Sequence, residues 1–248
     1  MQKVTVHRPS RRGDKTVFWD FHGTLADDPG GWQGALIEVL DRYLPGHSID
    51  REELRPFLRS GFPWHRPERH HPELSSPDAW WENLEPLFAN AYEEVGIQPA
   101  RTRELAREVR TVYVRPERQE LFDHAIQSLE SLRTDGWRQV ILSNHAPELP
   151  EIVDSIGLSG FFDVVITSAA TGFEKPNRRA FEIALEAAGN PDVAWMVGDN
   201  PEADVLGAER VGIPAILVRK EDPRCSRVAR DLRAVLEMIR EAGVKSLF

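Results

Sequence analysis

The sequence predicts an α/β fold: an open parallel sheet with helices on both faces, interrupted by an all-helical insertion. Three observations lead there. Five short apolar runs, most of them rich in β-branched residues, recur along the chain as buried parallel strands do. Each of the last four is followed by a segment with helical periodicity, and that alternation builds a parallel sheet. One long interval, about 31–117, carries helical periodicity and no convincing strand.

The N-terminal "MQKVTVHRPSRRGDK" is charged, lacks the apolar stretch of a secretory signal, and reads as a short arm. "TVFWDF" (16–21) is the first strand. The insertion follows, with helices over 32–43, 50–59, 78–95 and 99–114 around the irregular "SGFPWHRPERHHPELSSPDAWW". The remaining strands are "RQVILSN" (138–144), "FDVVITS" (162–168), "VAWMVGD" (193–199) and "PAILVR" (214–219). Their helices fall at 147–156, 177–188, 202–210 and 226–241, with Pro176 in the first turn of the second and Gly189 at its end. The expected division is a sheet core over 1–30 and 118–248 and a helical domain over 31–117. Right-handed crossovers align the C-terminal ends of the strands along one edge, where ligands bind in such sheets.

Composition narrows the function. The 248 residues carry 31 Lys and Arg against 40 Asp and Glu, a net charge of −9, which argues against non-specific nucleic-acid binding. Cys225 stands alone, so no intrachain disulfide forms and a reducing compartment fits. No run approaches the roughly 18 apolar residues of a membrane span. The expectation is a soluble cytoplasmic protein whose oligomeric state is open.

The strand ends carry the chemistry. The first strand ends in Asp20 and the second in Ser143 and Asn144. Lys175 follows the third within "FEKPN", and Asp199 and Asp204 lie in "GDNPEAD" after the fourth. Parallel topology brings them into one small volume, where uncompensated carboxylates repel. A hard divalent cation with oxygen ligands, Mg²⁺ above all, resolves that repulsion and leaves coordination positions for a phosphate.

With these residues in order, the chain resembles the haloacid dehalogenase superfamily, in the branch whose Rossmann-like core carries a helical cap after the first motif. The four motifs match "DFHGTL" (20–25), "ILSN" (141–144), "EKP" (174–176) and "GDNPEAD" (198–204). The resemblance implies a Mg²⁺-dependent phosphatase of a small phosphorylated metabolite. Asp20 would be nucleophile and metal ligand, and Asp20 would carry an aspartyl-phosphate that water then hydrolyses. Ser143 would hold phosphoryl oxygens and Lys175 would offset charge, with Thr24 and Asn144 also on the substrate side. Asp199, the backbone carbonyl of His22 and Asp204, the last either directly or through water, would hold the metal.

His22 departs from the pattern, because the family's phosphatases usually carry aspartate there to move the leaving group's proton. Imidazole can donate and accept a proton near neutrality, so His22 is read as a working acid–base group. The same substitution keeps other readings open: dehalogenase, phosphonatase or phosphotransferase chemistry, or a weakened phosphate-binding protein.

Other conspicuous residues have plainer readings. His65, His70 and His71 lack acidic or cysteine partners at ligand spacing and read as solvated loop histidines. Trp64, Trp80 and Trp81 read as packing, Arg66 and Arg69 as a solvated face, and Cys225 as inert. Asp27 and Asp28 read as solvated turn residues.

Overall fold

The computed structural model describes residues 14–245, so the expected N-terminal arm lies almost wholly outside them. In chain order the elements are β1 (Lys15–Trp19), β2 (Ala26–Asp27), α1 (Gly31–Tyr43), α2 (Arg51–Leu54), α3 (Pro77–Glu94), α4 (Pro99–Tyr113), β3 (Glu120–Leu121), α5 (Ala125–Thr134), β4 (Arg138–Ser143), α6 (Leu149–Ser155), β5 (Val164–Thr167), α7 (Ser168–Thr171), α8 (Arg178–Ala187), β6 (Val193–Gly198), a π-helical turn (Pro201–Leu206), α9 (Gly207–Glu209), β7 (Ala215–Val218), β8 (Val228–Ala229) and α10 (Leu232–Lys245).

Six strands form one parallel sheet in the order β5-β4-β1-β6-β7-β8. The side chains of β1 alternate between its two faces, as strand geometry requires. Val17 and Trp19 join Ile141, Val197 and Ile216 in a core covered by α5, α6 and α10, while Phe18 joins Val140, Met196 and Leu217 beneath α8 and α9. Burial of a side chain such as Phe18 or Ile141 contributes roughly 1.5–3 kcal/mol. A slip of one residue would exchange the faces, so the pattern fixes the register. Because β1 is central and its neighbours β4 and β6 come later in the chain, its C-terminal end lies at the switch point where such sheets bind ligands.

The helical insertion lies between β1 and β4. Ser76 caps α3 by accepting from Ala79 N at 3.2 Å, and Pro77 and Pro99 open α3 and α4, where a missing N–H costs nothing. Leu36, Leu40, Leu84, Phe88 and Val109 make a second core, joined by Ala146 from the loop after β4 and by Ala169 of α7. The insertion therefore rests on the same edge of the sheet as Asp20. Trp80 and Trp81 are buried in it, and Trp81 Nε1 donates to Glu148 of the core at 3.0 Å.

Several expectations need correction. The helix expected over 226–241 begins at Leu232, because Val228 and Ala229 pair with Leu217 and Val218 as a sixth strand. The helix over 50–59 is one α-turn and a 3₁₀ turn (Arg55–Leu58), since Pro56 cannot supply an interior N–H. The segment over 202–210 is a π-helical turn followed by a short α-turn. Pro176 precedes α8 across a cis bond, and Asn177 is the cap.

The two chain crossings into the insertion are tied together. β2 and β3 pair antiparallel (Ala26 with Leu121, Asp27 with Glu120). Just beyond, Arg118 binds both oxygens of Asp28 at 2.8–3.0 Å and the Gly31 carbonyl at 2.9 Å. Asp28 is thus buried and paired, against the solvated turn expected for it, while Asp27 is exposed. The loop histidines also divide. His65 and His70 are exposed, although the His70 ring stacks on Phe173 at 4.0 Å. His71 is buried, and its N–H donates to Gly172 O at 2.8 Å, so it is a contact between insertion and core rather than a solvated residue. Arg66 and Arg69 are exposed, and Arg69 pairs with Glu73. Cys225 is buried, which pushes its thiol pKa up and keeps it protonated. No helix among the described residues is long and apolar enough to cross a membrane.

Candidate active site

Asp20 follows β1, and its N–H donates to Val197 O at 2.9 Å, so sheet pairing holds it one residue beyond the strand. The chain then turns sharply, with Thr24 N and Leu25 N both donating to Phe21 O. Gly23 sits at φ +75°, and a Cβ there would overlap the Asp199 carboxylate. Glycine is needed twice over, for the backbone conformation and for the approach. Arg219 packs 3.6 Å over the Phe122 ring, and its guanidinium donates to the carbonyls of Gly23 and Thr24, bracing the turn from β7.

Lys175 is buried, and its ammonium has three partners: Asp20 Oδ1 at 2.8 Å, Asp204 Oδ1 at 2.5 Å and Leu142 O at 2.7 Å. Burial alone would lower its pKa, but Asp20 and Asp204 outweigh that and hold it above the ordinary lysine value. Asn144 fixes the Lys175 loop from both sides, accepting from Lys175 N at 2.7 Å and donating to Lys175 O at 2.8 Å. Both groups of its side chain take part in that tether, so Asn144 positions Lys175. Ser143 ends β4 and is buried, as is Thr24 in the turn.

Asp204 is held by the π-helical turn. Asn200 caps the turn through Glu202 N and Ala203 N, and Asn200 N donates to Asp204 Oδ2 at 2.9 Å. Burial pushes the Asp204 carboxyl upward, with Lys175 opposing. Asp199 is also raised, first by burial and then by the charge of Asp20, although Lys220 donates to its Oδ2 at 2.6 Å. Oxygen atoms of Asp20, Asp199 and Asp204 all lie within 4.8 Å of one another. Three carboxylates thus face one buried ammonium and one lysine that is 55% exposed. That donor set, all oxygen and short of positive charge, fits a hard divalent cation. Among the described residues it is the one acidic, His or Cys group with this spacing.

His22 stands at the seam between sheet and insertion. Its Nε2 lies 2.7 Å from Gln119 Oε1, and its ring lies 4.8 Å from His145 and 6.4 Å from Tyr113. His145 is buried, and burial followed by the neighbouring His22 drops its pKa to about 3. It is therefore neutral. Glu174, also buried, is pushed by desolvation to about 7.

A model of the haloacid dehalogenase-like hydrolases matches residues 15–212, through the insertion and all four strand-end clusters. The chain belongs to that family. Among curated relatives it is 38% identical over 173 residues to the phosphoserine phosphatase of Thermus thermophilus, covering 66% of this chain and 68% of the relative. It is 32% identical over 213 residues to the glyceraldehyde 3-phosphate phosphatase of Methanothermobacter thermautotrophicus, covering 84% of this chain and 86% of the relative. Among solved structures, the HAD-hydrolase YfnB of Bacillus subtilis bound to magnesium superposes with a TM-score of 0.70 at 17% identity, over 92% of this chain and 99% of the other.

The fold brings Asp20, Lys175, Asp199 and Asp204 together, as parallel strands ending on one edge require. Sequence reasoning missed Lys220, Arg118, Gln119 and His145. His145 stands one residue past "ILSN" and Lys220 one past the strand over 214–219, so both could have been reached by extending those segments. Arg118 and Gln119 carry no local signal, since their partners lie 90 and 97 residues away.

Proposed function

We propose that this haloacid dehalogenase-like hydrolase is a Mg²⁺-dependent phosphatase of a small phosphorylated metabolite. The observation that carries the reading is the Asp20 carboxylate held 2.8 Å from a fully paired, buried ammonium, inside a cluster of three carboxylates. The relatives named as phosphatases of phosphoserine and glyceraldehyde 3-phosphate support the substrate class. In this reading the core comprises 1–30 and 118–248, and the helices over 31–117 form a cap that excludes water.

Asp20 is the nucleophile. Lys175 keeps one of its oxygens ionised and oriented, leaving the other for in-line attack on phosphorus, with Ser143 and Thr24 on the phosphoryl oxygens. The ester oxygen departs as Asp20 becomes an aspartyl-phosphate, and His22 gives that oxygen its proton. His22 then takes a proton from the water that attacks phosphorus and restores Asp20. The pairing of the His22 ring with Gln119 supports this role, because the ring is held at the seam where a leaving group would lie. His145 is too weak a base to replace it. Asp20, Asp199 and the carbonyl of His22 would hold Mg²⁺. Asp204, whose oxygens already accept from Lys175 and Asn200, would order its ligands through water. When bound, Mg²⁺ supplies polarisation of the phosphoryl oxygens and neutralises developing charge.

The test is phosphate release from p-nitrophenyl phosphate with and without Mg²⁺, in wild type and Asp20→Asn. Release that needs Mg²⁺ and disappears in Asp20→Asn is the expected result. No release from a broad ester panel, or metal-independent halide release, would replace the reading with one of its alternatives. Loss of the proton-transfer group costs roughly 10²–10⁴-fold. His22→Ala is therefore expected to depress alkyl esters by that order and aryl esters with good leaving groups far less. Equal losses would remove His22 from the proton path.

A further inference from the structure

Two buried polar atoms at the seam beside His22 have no partner among the described residues. His145 Nδ1 lies 3.1 Å from the Ala146 carbonyl, which only accepts, so Nδ1 carries the hydrogen. The other nitrogen, Nε2, is then a bare acceptor; it is buried and unpaired, on a residue only 2% exposed. Gln119, one residue before β3, faces His22 through Oε1, and its Nε2 is a buried, unpaired donor. The His22 ring touches both residues, and Tyr113 of the insertion closes over the pair of histidines at 6.0 and 6.4 Å.

An unpaired buried donor or acceptor loses its hydration without compensation, and native proteins keep few of them. One of each kind, both on residues that contact the His22 ring, marks a place where a ligand group completes the bonding. We propose that His145 and Gln119 form the leaving-group socket of this phosphatase, selecting esters whose alcohol carries a second hydroxyl next to the ester oxygen. This rests on the phosphatase reading above.

The complementarity decides the class. A hydroxyl donates to His145 Nε2 and accepts from Gln119 Nε2 at once. An ammonium can only donate and leaves the glutamine unpaired. A carboxylate can only accept, and it would face the lone pair of His145. A plain alkyl group satisfies neither atom. Discrimination of this type is strong because the wrong ligand leaves buried polar groups unpaired.

The test compares kcat/KM for four esters of one length: 2-hydroxyethyl, 2-aminoethyl and ethyl phosphate, and phosphoglycolate, with Mg²⁺. Wild type is expected to prefer the hydroxyethyl ester over ethyl phosphate by about tenfold or more, the other two falling between or below. Gln119→Leu and His145→Phe are expected to bring the hydroxyethyl-to-ethyl ratio close to one, and His145→Gln, which restores an acceptor, to recover part of it. The ratio separates recognition from folding, since a merely structural role would lower both esters together. Gln119→Leu also keeps the test open if the buried His145→Phe fails to fold. A wild-type ratio near one, or a ratio that survives Gln119→Leu, overturns the socket while the phosphatase reading stands. No hydrolysis of any ester, p-nitrophenyl phosphate included, overturns both.

Discussion

At the scale of single residues, the site is an arrangement of charges kept in balance. Lys220 binds Asp199 from the solvent side, so it competes with a cation for the same oxygen and repels it. Lys220→Met is therefore expected to lower the Mg²⁺ concentration needed for half-maximal activity, by a few-fold as befits a half-exposed charge. A metal titration of the two proteins checks it, and an unchanged or higher requirement would count against the pairing. Glu174 makes the converse case. Its carboxyl is buried and titrates at about 7, against 4.5 when exposed, so the folded protein holds a proton that the unfolded chain releases. Stability from this group is complete below about pH 4.5 and is lost as pH rises through 7. Relative to Glu174→Gln, wild type is expected to lose on the order of 2–3 kcal/mol between about pH 5 and pH 8, measurable by urea unfolding. Parallel pH curves would show that Glu174 is ionised throughout. Glu174 opens the motif "EKP" and Lys220 follows the strand over 214–219, yet their roles depend on burial and folded contacts, which spacing does not encode.

At the scale of elements, the neck of the insertion is the best-defined joint. Arg118 and Asp28 have side chains only 12% and 5% exposed, and they join the outgoing and returning chains where β2 and β3 end. Removing one partner of a buried pair leaves a buried charge, at a cost on the order of 3 kcal/mol. Arg118→Leu is expected to lower stability by that order, with unfolding followed by calorimetry, whereas Arg69→Leu on the exposed face should change it by less than about 1 kcal/mol. Comparable effects would mean that the neck pair is solvated after all. The strands were legible because each is a short apolar run ended by a polar residue, as "ILSN" ends at Ser143 and Asn144. β8 was not. Val228 and Ala229 lie among charged residues and become a strand only because Leu217 and Val218 offer an open edge. Nor was the neck, since Asp28 in "ADDPG" looks like any turn aspartate until Arg118 arrives from 90 positions away.

At the scale of the whole molecule, one central strand organises everything. β1 is enclosed by β4 and β6, and this places Asp20, Ser143 and Asp199 on one edge, with the Lys175 loop drawn in by Asn144. The helical insertion rests on that edge through Ala146, Ala169 and the Trp81–Glu148 contact. Topology made the four charged residues legible in advance, because parallel strands must end together. The seam was not legible, because His22 meets Gln119 from 97 positions away, and His145 from the loop after β4, only in the folded sheet core. A covalent bond from Asp20 to phosphorus is the step that separates this mechanism from direct attack by water. Acid-quench mass spectrometry during turnover of p-nitrophenyl phosphate with Mg²⁺ reads it. A peptide containing Asp20 that is heavier by one phosphoryl group is expected in wild type, and the unmodified peptide in Asp20→Asn. Turnover with no phosphoryl group on that peptide, or undiminished turnover in Asp20→Asn, would overturn the covalent route.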